Sequence, residues 1–157
     1  MTTKAFDKPD YIKVQNADFD MAVEYQRLRD VEVSDGAVVV FVGLVREFSQ
    51  DKHIKSMFLE HYPAMTEQAL QTIVQEARDK WPLGKVSVIH RIGHLDANAQ
   101  IVMVGVTSQH RNAAFAAAEF IMDYLKMRAP FWKKEMTTKG DFWVEAKASD
   151  NDAAAKW

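Results

Sequence analysis

Ile101-Val102-Met103-Val104-Gly105-Val106-Thr107-Ser108-Gln109-His110-Arg111 decides how this chain is read. Its first six residues are apolar and largely β-branched, the composition of a buried strand. Beyond Thr107 the period changes. Ala113, Ala114, Ala117, Ala118, Ile121 and Leu125 recur at helical spacing. The pattern predicts a strand over 101–106 and a helix from about Ser108 to Arg128, with Ser108 as N-cap. The alanine-rich face lets another element approach closely. Pro130 stops the helix, because a residue before proline avoids the α region.

Working outward, Gly36-Ala37-Val38-Val39-Val40-Phe41-Val42-Gly43 is a second apolar run, predicted as a strand buried on both faces. Tyr11 to Val14 suits a first strand. Asp18 is placed to cap a helix over 19–28, with Met21, Ala22, Tyr25 and Leu28 on one face. A strand is expected from about Ile54 to Tyr62. Pro63 then opens a helix carrying Ala69, Leu70, Ile73, Val74, Ala77 and Trp81, ended by Pro82 and Gly84. Val86 to Ile92 reads as a strand, 93–100 as a turn or loop, and Phe142 to Ala146 as a final strand. Asp150 to Trp157 reads as a short helix or a tail. Strands and helices do not strictly alternate, which predicts an α+β (mixed α/β) fold rather than a doubly wound sheet. A single domain over 1–157 is expected, with 1–10 and 150–157 as flexible ends.

Composition excludes several functions. The 157 residues include 20 Lys+Arg and 22 Asp+Glu, for a net charge of −2, which argues against broad nucleic-acid binding. There is no Cys, hence no disulfide, thiolate metal site or cysteine nucleophile. No apolar run reaches the ~20 residues of a membrane helix, and the N-terminus lacks the apolar core of a signal peptide. A cytoplasmic protein is expected. His90 and His94 straddle Gly93, a poor arrangement for a metal. No phosphate loop, dinucleotide fingerprint or nucleophile elbow is present, and neither metal nor cofactor is expected.

Candidate chemistry gathers on cations. At a strand-to-helix junction, free backbone N–H groups favour an anion, and Arg111 with His110 would strengthen that site. The local pattern equally fits a solvated arginine beside a structural histidine. At ~100° per residue, Arg111, Met122 and Lys126 share one helix stripe with Phe115 and Ala118. Lys126 is by this pattern alone more simply a lysine at a helix end. Phe131-Trp132-Lys133-Lys134 could be a pocket wall or a solvated basic turn. Arg46 follows the Gly36–Gly43 run closely, where loops often carry function.

The blocks Gly105-Val106-Thr107-Ser108-Gln109-His110-Arg111 and Tyr124-Leu125-Lys126-Met127-Arg128-Ala129-Pro130-Phe131-Trp132-Lys133-Lys134-Glu135 occur in order with Gly36–Arg46, Leu59–Thr66, Trp81–Gly84 and Ile89–Gly93. Together they strongly resemble the catalytic, large subunit of molybdopterin synthase, from about Gly36 to Lys147. The resemblance implies an α/β-hammerhead fold and a sulfurtransferase of molybdenum cofactor biosynthesis. The reaction it implies carries sulfur from the C-terminal thiocarboxylate of a small ubiquitin-like partner ending in Gly-Gly. The acceptor is cyclic pyranopterin monophosphate, which gains the dithiolene of molybdopterin. It also implies a homodimer within a heterotetramer. By motif, Lys133 and Lys126 match the catalytic lysines. His110, Arg111, Arg46 and Lys147 match substrate-binding cations, and Phe41, Met122 and Glu135 line the pocket. Two features depart from the family pattern. The loop after Arg46 reads Glu47-Phe48-Ser49-Gln50-Asp51-Lys52, and Lys147 stands where arginine is expected. The competing reading is a non-catalytic anion-binding or assembly module of the same fold.

Overall fold

A computed structural model describes residues 10–30, 34–49, 52–144 and 148–157. In order the elements are β1 (Asp10–Gln15), α1 (Met21–Arg29), β2 (Ala37–Leu44), β3 (Phe48–Ser49), β4 (Lys52–His61), α2 (Pro63–Lys80), β5 (Val86–Arg91), β6 (Gly93–Asp96), β7 (Gln100–Ser108), α3 (Arg111–Arg128), β8 (Phe131–Thr137), β9 (Gly140–Val144) and α4 (Ala148–Ala155). The architecture is α+β, with two sheets. One has the order β1-β5-β7-β2; the other has β3-β4-β8-β9, with β6 also on β4. β1 and β5 are parallel, and every other pair is antiparallel.

Side-chain alternation explains the layering of the first sheet. Val86 and Val88 of β5 and Val102, Val104 and Val106 of β7 join Leu70, Ile73, Val74 and Ala77 of α2 and Ala117, Phe120, Ile121 and Leu125 of α3 in the main core. Ile89 and Met103 point the other way, onto Phe19 and Leu28. The alanine face of α3 therefore lets that helix sit close to the strands. A smaller core of Val45, Ile54, Met57, Leu59 and Leu95 lies beneath the second sheet.

Several expectations are corrected. β2 is not buried on both faces: among the described residues it is an outer strand, paired only with β7, and its residues are half-buried or exposed. An apolar strand run reports hydrophobicity and not the number of strand partners. The 93–100 loop contains β6, and Phe131 to Thr137 is a strand rather than a turn. Ser108 is the end of β7 and donates its hydroxyl to the Pro82 carbonyl at 2.7 Å; α3 is capped by extended His110 instead. For α1 the cap is Asp20, whose carboxylate accepts from Ala22 and Val23 N–H groups. Asp18 accepts from the Phe19 N–H and the Gln100 amide. Glu24 and Leu28 form the buried face of α1, while Ala22 and Tyr25 are exposed. Arg27 explains this: it pairs with Glu24 and lies over the Tyr11 ring. At the C-terminus, Trp157 follows α4; its ring meets Trp81 and Phe120 and its indole donates to Asp123 at 2.6 Å.

Candidate functional site

α3 has cationic side chains near both ends. At its start, β7 runs extended through Ser108, and His110 caps the helix without a side-chain hydrogen bond. No acidic residue occupies the first turn, so the helix N-terminus and the Arg111 side chain both favour an anion. They open onto a depression of about 430 Å³ lined by Gly36, Ala37, Gln109, His110, Arg111 and Asn112. Gly36 permits this closeness: a Cβ there would stand 2.8 Å from the Gln109 carbonyl oxygen.

At the other end, Lys126 occupies the last turn and is exposed. Ala129 caps α3, and Phe131 begins β8 at once. On β8, Phe131, Lys133 and Glu135 point to one face. Their partners on β4 are His61, Leu59 and Met57. Leu59, Met57 and Glu135 are buried, so this is the inner face of the second sheet and Lys133 sits half-buried on it. Trp132 and Lys134 project from the outer face, where Trp132 meets Tyr62 edge-on at 4.7 Å.

The inner face meets the first sheet through His90. Its ring stacks on Phe131 at 3.8 Å and 15°, and its Nδ1–H donates to the Arg91 carbonyl at 2.8 Å. Burial pushes the His90 imidazole down to about 4, against the opposing pull of that carbonyl; the charges of Lys133 and His61 press in the same direction as burial. His90 is therefore neutral near pH 7, and Lys133 faces an uncharged aromatic wall.

The remaining positions divide between these ends. Arg46 is exposed just past buried Val45, which is clamped to the 97–99 turn through the Val45 N–H to Ala99 O and Asn98 N–H to Val45 O bonds. α3 starts beside Ala37 and runs back antiparallel to β7, in the direction of β2. Arg46 thus follows the end of β2 that lies toward the Lys126 end of α3. Phe41 lies on β2, 43% exposed. Met122, one turn before Lys126, is buried in the main core. Lys147 lies outside the described residues.

The helix stripe that joins Arg111 to Lys126 is real, but its length separates them. Fifteen residues at ~1.5 Å each put the two about 22 Å apart along α3. Lys126 stands at one end of α3, seven residues before Lys133 on β8, and His110 and Arg111 stand at the other. Residues that motif reasoning missed are His61 and His90. Their signal was alternation: His90 continues the inward row Val86, Val88, and His61 continues Met57, Leu59, so each is a polar side chain in an apolar row.

Comparison with known proteins identifies the family. The model of the MoaE protein family matches residues 14–128. A molybdopterin synthase catalytic subunit of Escherichia coli is 56% identical over 139 residues, covering 88% of this chain and 92% of that protein. One from Vibrio cholerae is 53% identical over 146 residues, covering 93% and 97%. Among solved structures, the molybdopterin biosynthesis MoaE protein from Burkholderia ambifaria superposes with a TM-score of 0.81 at 47% identity, covering 94% of this chain and 97% of that one. The chain belongs to the MoaE protein family.

Proposed function

We propose that this chain is the catalytic subunit of a molybdopterin synthase: a sulfurtransferase that moves sulfur from the thiocarboxylate of a small ubiquitin-like partner to cyclic pyranopterin monophosphate. The observation that carries the reading is Lys133, half-buried on the inner face of the second sheet against the neutral His90–Phe131 stack. A cation in such apolar surroundings interacts strongly with charge that develops nearby. Once the thiocarboxylate sulfur has bonded to the precursor, water adds to the acyl carbon, and the Lys133 ammonium stabilises the oxyanion that forms there; the acyl–sulfur bond then breaks, leaving sulfur on the precursor and a free carboxylate on the partner's tail. Lys126, seven residues earlier, holds the precursor alongside. With no Cys in the chain, sulfur cannot pass through a persulfide on this subunit. It arrives on the partner, and this chain supplies the pocket and the cations.

The precursor's phosphate is assigned to the helix start with His110 and Arg111. Because about 22 Å of α3 separates that site from Lys126, one chain does not close the pocket, and a second copy supplies the missing end. β2 is the surface we assign to that contact. It is an unpaired apolar edge with Phe41 and Leu44 exposed. Two-fold antiparallel apposition of β2 with its copy sets the Ala37 end of one chain beside the Leu44 end of the other. The phosphate cations of one protomer then meet Arg46, Lys126 and Lys133 of its partner.

Reconstitution tests the reading: purified chain, thiocarboxylated partner and precursor yield molybdopterin. Lys133→Ala abolishes product while the fold is retained. Full turnover by this variant removes Lys133 from the reaction, and partner binding without turnover by the unaltered chain favours the non-catalytic module.

A further inference from the structure

Among the described residues, two buried side-chain polar atoms have no hydrogen-bond partner: His61 Nδ1 and Thr66 Oγ1. Both belong to the β4–α2 junction. Tyr62 caps α2 and Pro63 is its first residue, so His61 precedes the cap and Thr66 is the fourth residue of the helix. Side chains at these two positions face each other across a helix start, where they normally form an apolar staple. Here both are polar, and Thr66 is fully buried. Leaving such an atom unpaired in the interior is unfavourable. Two of them at facing positions point to a shared partner, and an internal water meets that need.

The same imidazole lies beside Lys133. His61 opposes Phe131 and Leu59 opposes Lys133 across β4 and β8, which makes His61 and Lys133 diagonal neighbours on one face. Diagonal Cα atoms are about 7–8 Å apart, within reach of a long side chain. His90 senses the charge of both, and Phe131 lies against His90 at 3.8 Å and near His61 at 6.2 Å.

We propose that His61 is a positioning residue for Lys133: an internal water accepts from His61 Nδ1–H and donates to Thr66 Oγ1, which leaves the Nε2 lone pair to receive one N–H of the Lys133 ammonium. The ammonium has three donors, and committing one to His61 aims the others into the pocket. The inference rests on the role assigned to Lys133 above. The Lys133 ammonium, which can only donate, requires the tautomer of His61 that carries its proton on Nδ1; Thr66 holds that proton's side through the water, and His61 sets the direction of the lysine. Glu135, on the same face of β8, is the other ionisable group of that row.

The test combines sulfur-transfer kinetics with ¹⁵N NMR of the imidazoles. His61→Gln, whose amide nitrogen and oxygen reach the Nε2 position, retains most of the rate. His61→Asn, which reaches only the Nδ1 position, loses roughly tenfold or more at saturating precursor, as a misaimed group does, with precursor affinity unchanged. Thr66→Val, nearly isosteric, lowers the rate several-fold and changes the His61 ¹⁵N pattern. If Thr66→Val leaves the rate and the His61 pattern unchanged, or if His61→Gln is no better than His61→Asn, the proposal is overturned. Lys133→Met is read by NMR alone: the His61 Nε2 resonance moves if the contact exists, and an unmoved resonance refutes it. Full activity of Lys133→Ala together with a moved resonance refutes the catalytic role while preserving the contact, so the two failures are distinguishable.

Discussion

His90 offers a quantitative check on the site. Its imidazole is held at about 4 by burial, against an ordinary value near 6.5 in an unfolded chain. Between these values the unfolded chain binds a proton that the folded one refuses, so acid favours unfolding. The contribution is fully present above pH 6.5 and is lost as pH falls toward 4. A gap of about 2.5 pH units at about 1.4 kcal/mol each amounts to about 3 kcal/mol, most of it gone by pH 4.5. That is a large share of a typical stability of about 5–15 kcal/mol. The perturbation is His90→Phe, which keeps a ring on Phe131 and cannot titrate. It forfeits the hydrogen bond to the Arg91 carbonyl, a pH-independent offset of about 1 kcal/mol. Urea unfolding of both proteins is measured from pH 7.5 to 4.5 at one protomer concentration, since association shifts apparent stability. Carboxylates that titrate in this window are common to both and cancel in the difference. The wild-type advantage should shrink by about 2–3 kcal/mol across the range. A difference that stays constant with pH, or a His90 NMR titration near 6.5, refutes the claim that the wall facing Lys133 is dry and uncharged.

Three other outcomes are expected. If the pocket is completed between protomers, co-expression of Lys133→Ala and Arg111→Ala chains restores about a quarter of wild-type activity, since half of random dimers hold one intact site of two; no recovery shows that each chain carries its own site. Gly84→Ala should destabilise the fold by about 1–3 kcal/mol in urea unfolding. Its Cβ would overlap Asp35 Oδ2 and Thr107 Oγ1, which hydrogen-bond each other at 2.7 Å. Trp157→Phe preserves a ring against Trp81 and Phe120 but removes the indole donor to Asp123. It should cost about 1 kcal/mol, read as a lowered Tm.

Much of the architecture was legible from pattern. α2 and α3 follow apolar positions at helical spacing, and their ends follow Pro63, Pro82 and Pro130. β5 and β7 follow apolar runs. Caps were less legible: Asp18, Asp20 and Ser108 are all acceptable cap residues, and which of them caps depends on contacts made by distant groups such as Gln100 and the Pro82 carbonyl. Phe131 to Thr137 is not legible as a strand, because its aromatics and lysines alternate across two faces of a strand that exists only where β4 and β9 flank it.

For the site, the residues alone state the chemistry available: cations without thiols, an arginine at a helix start, and lysines in a block that resembles one family. They also set the period of each element, because hydrophobic spacing is a local property of the chain. That β2 is an edge, that Lys133 turns inward against His90, and that Arg111 and Lys126 stand at opposite ends of α3 follows from the assembled fold. These depend on which strands pair and how a rigid helix spans the sheet, contacts between residues far apart in sequence that no local period encodes.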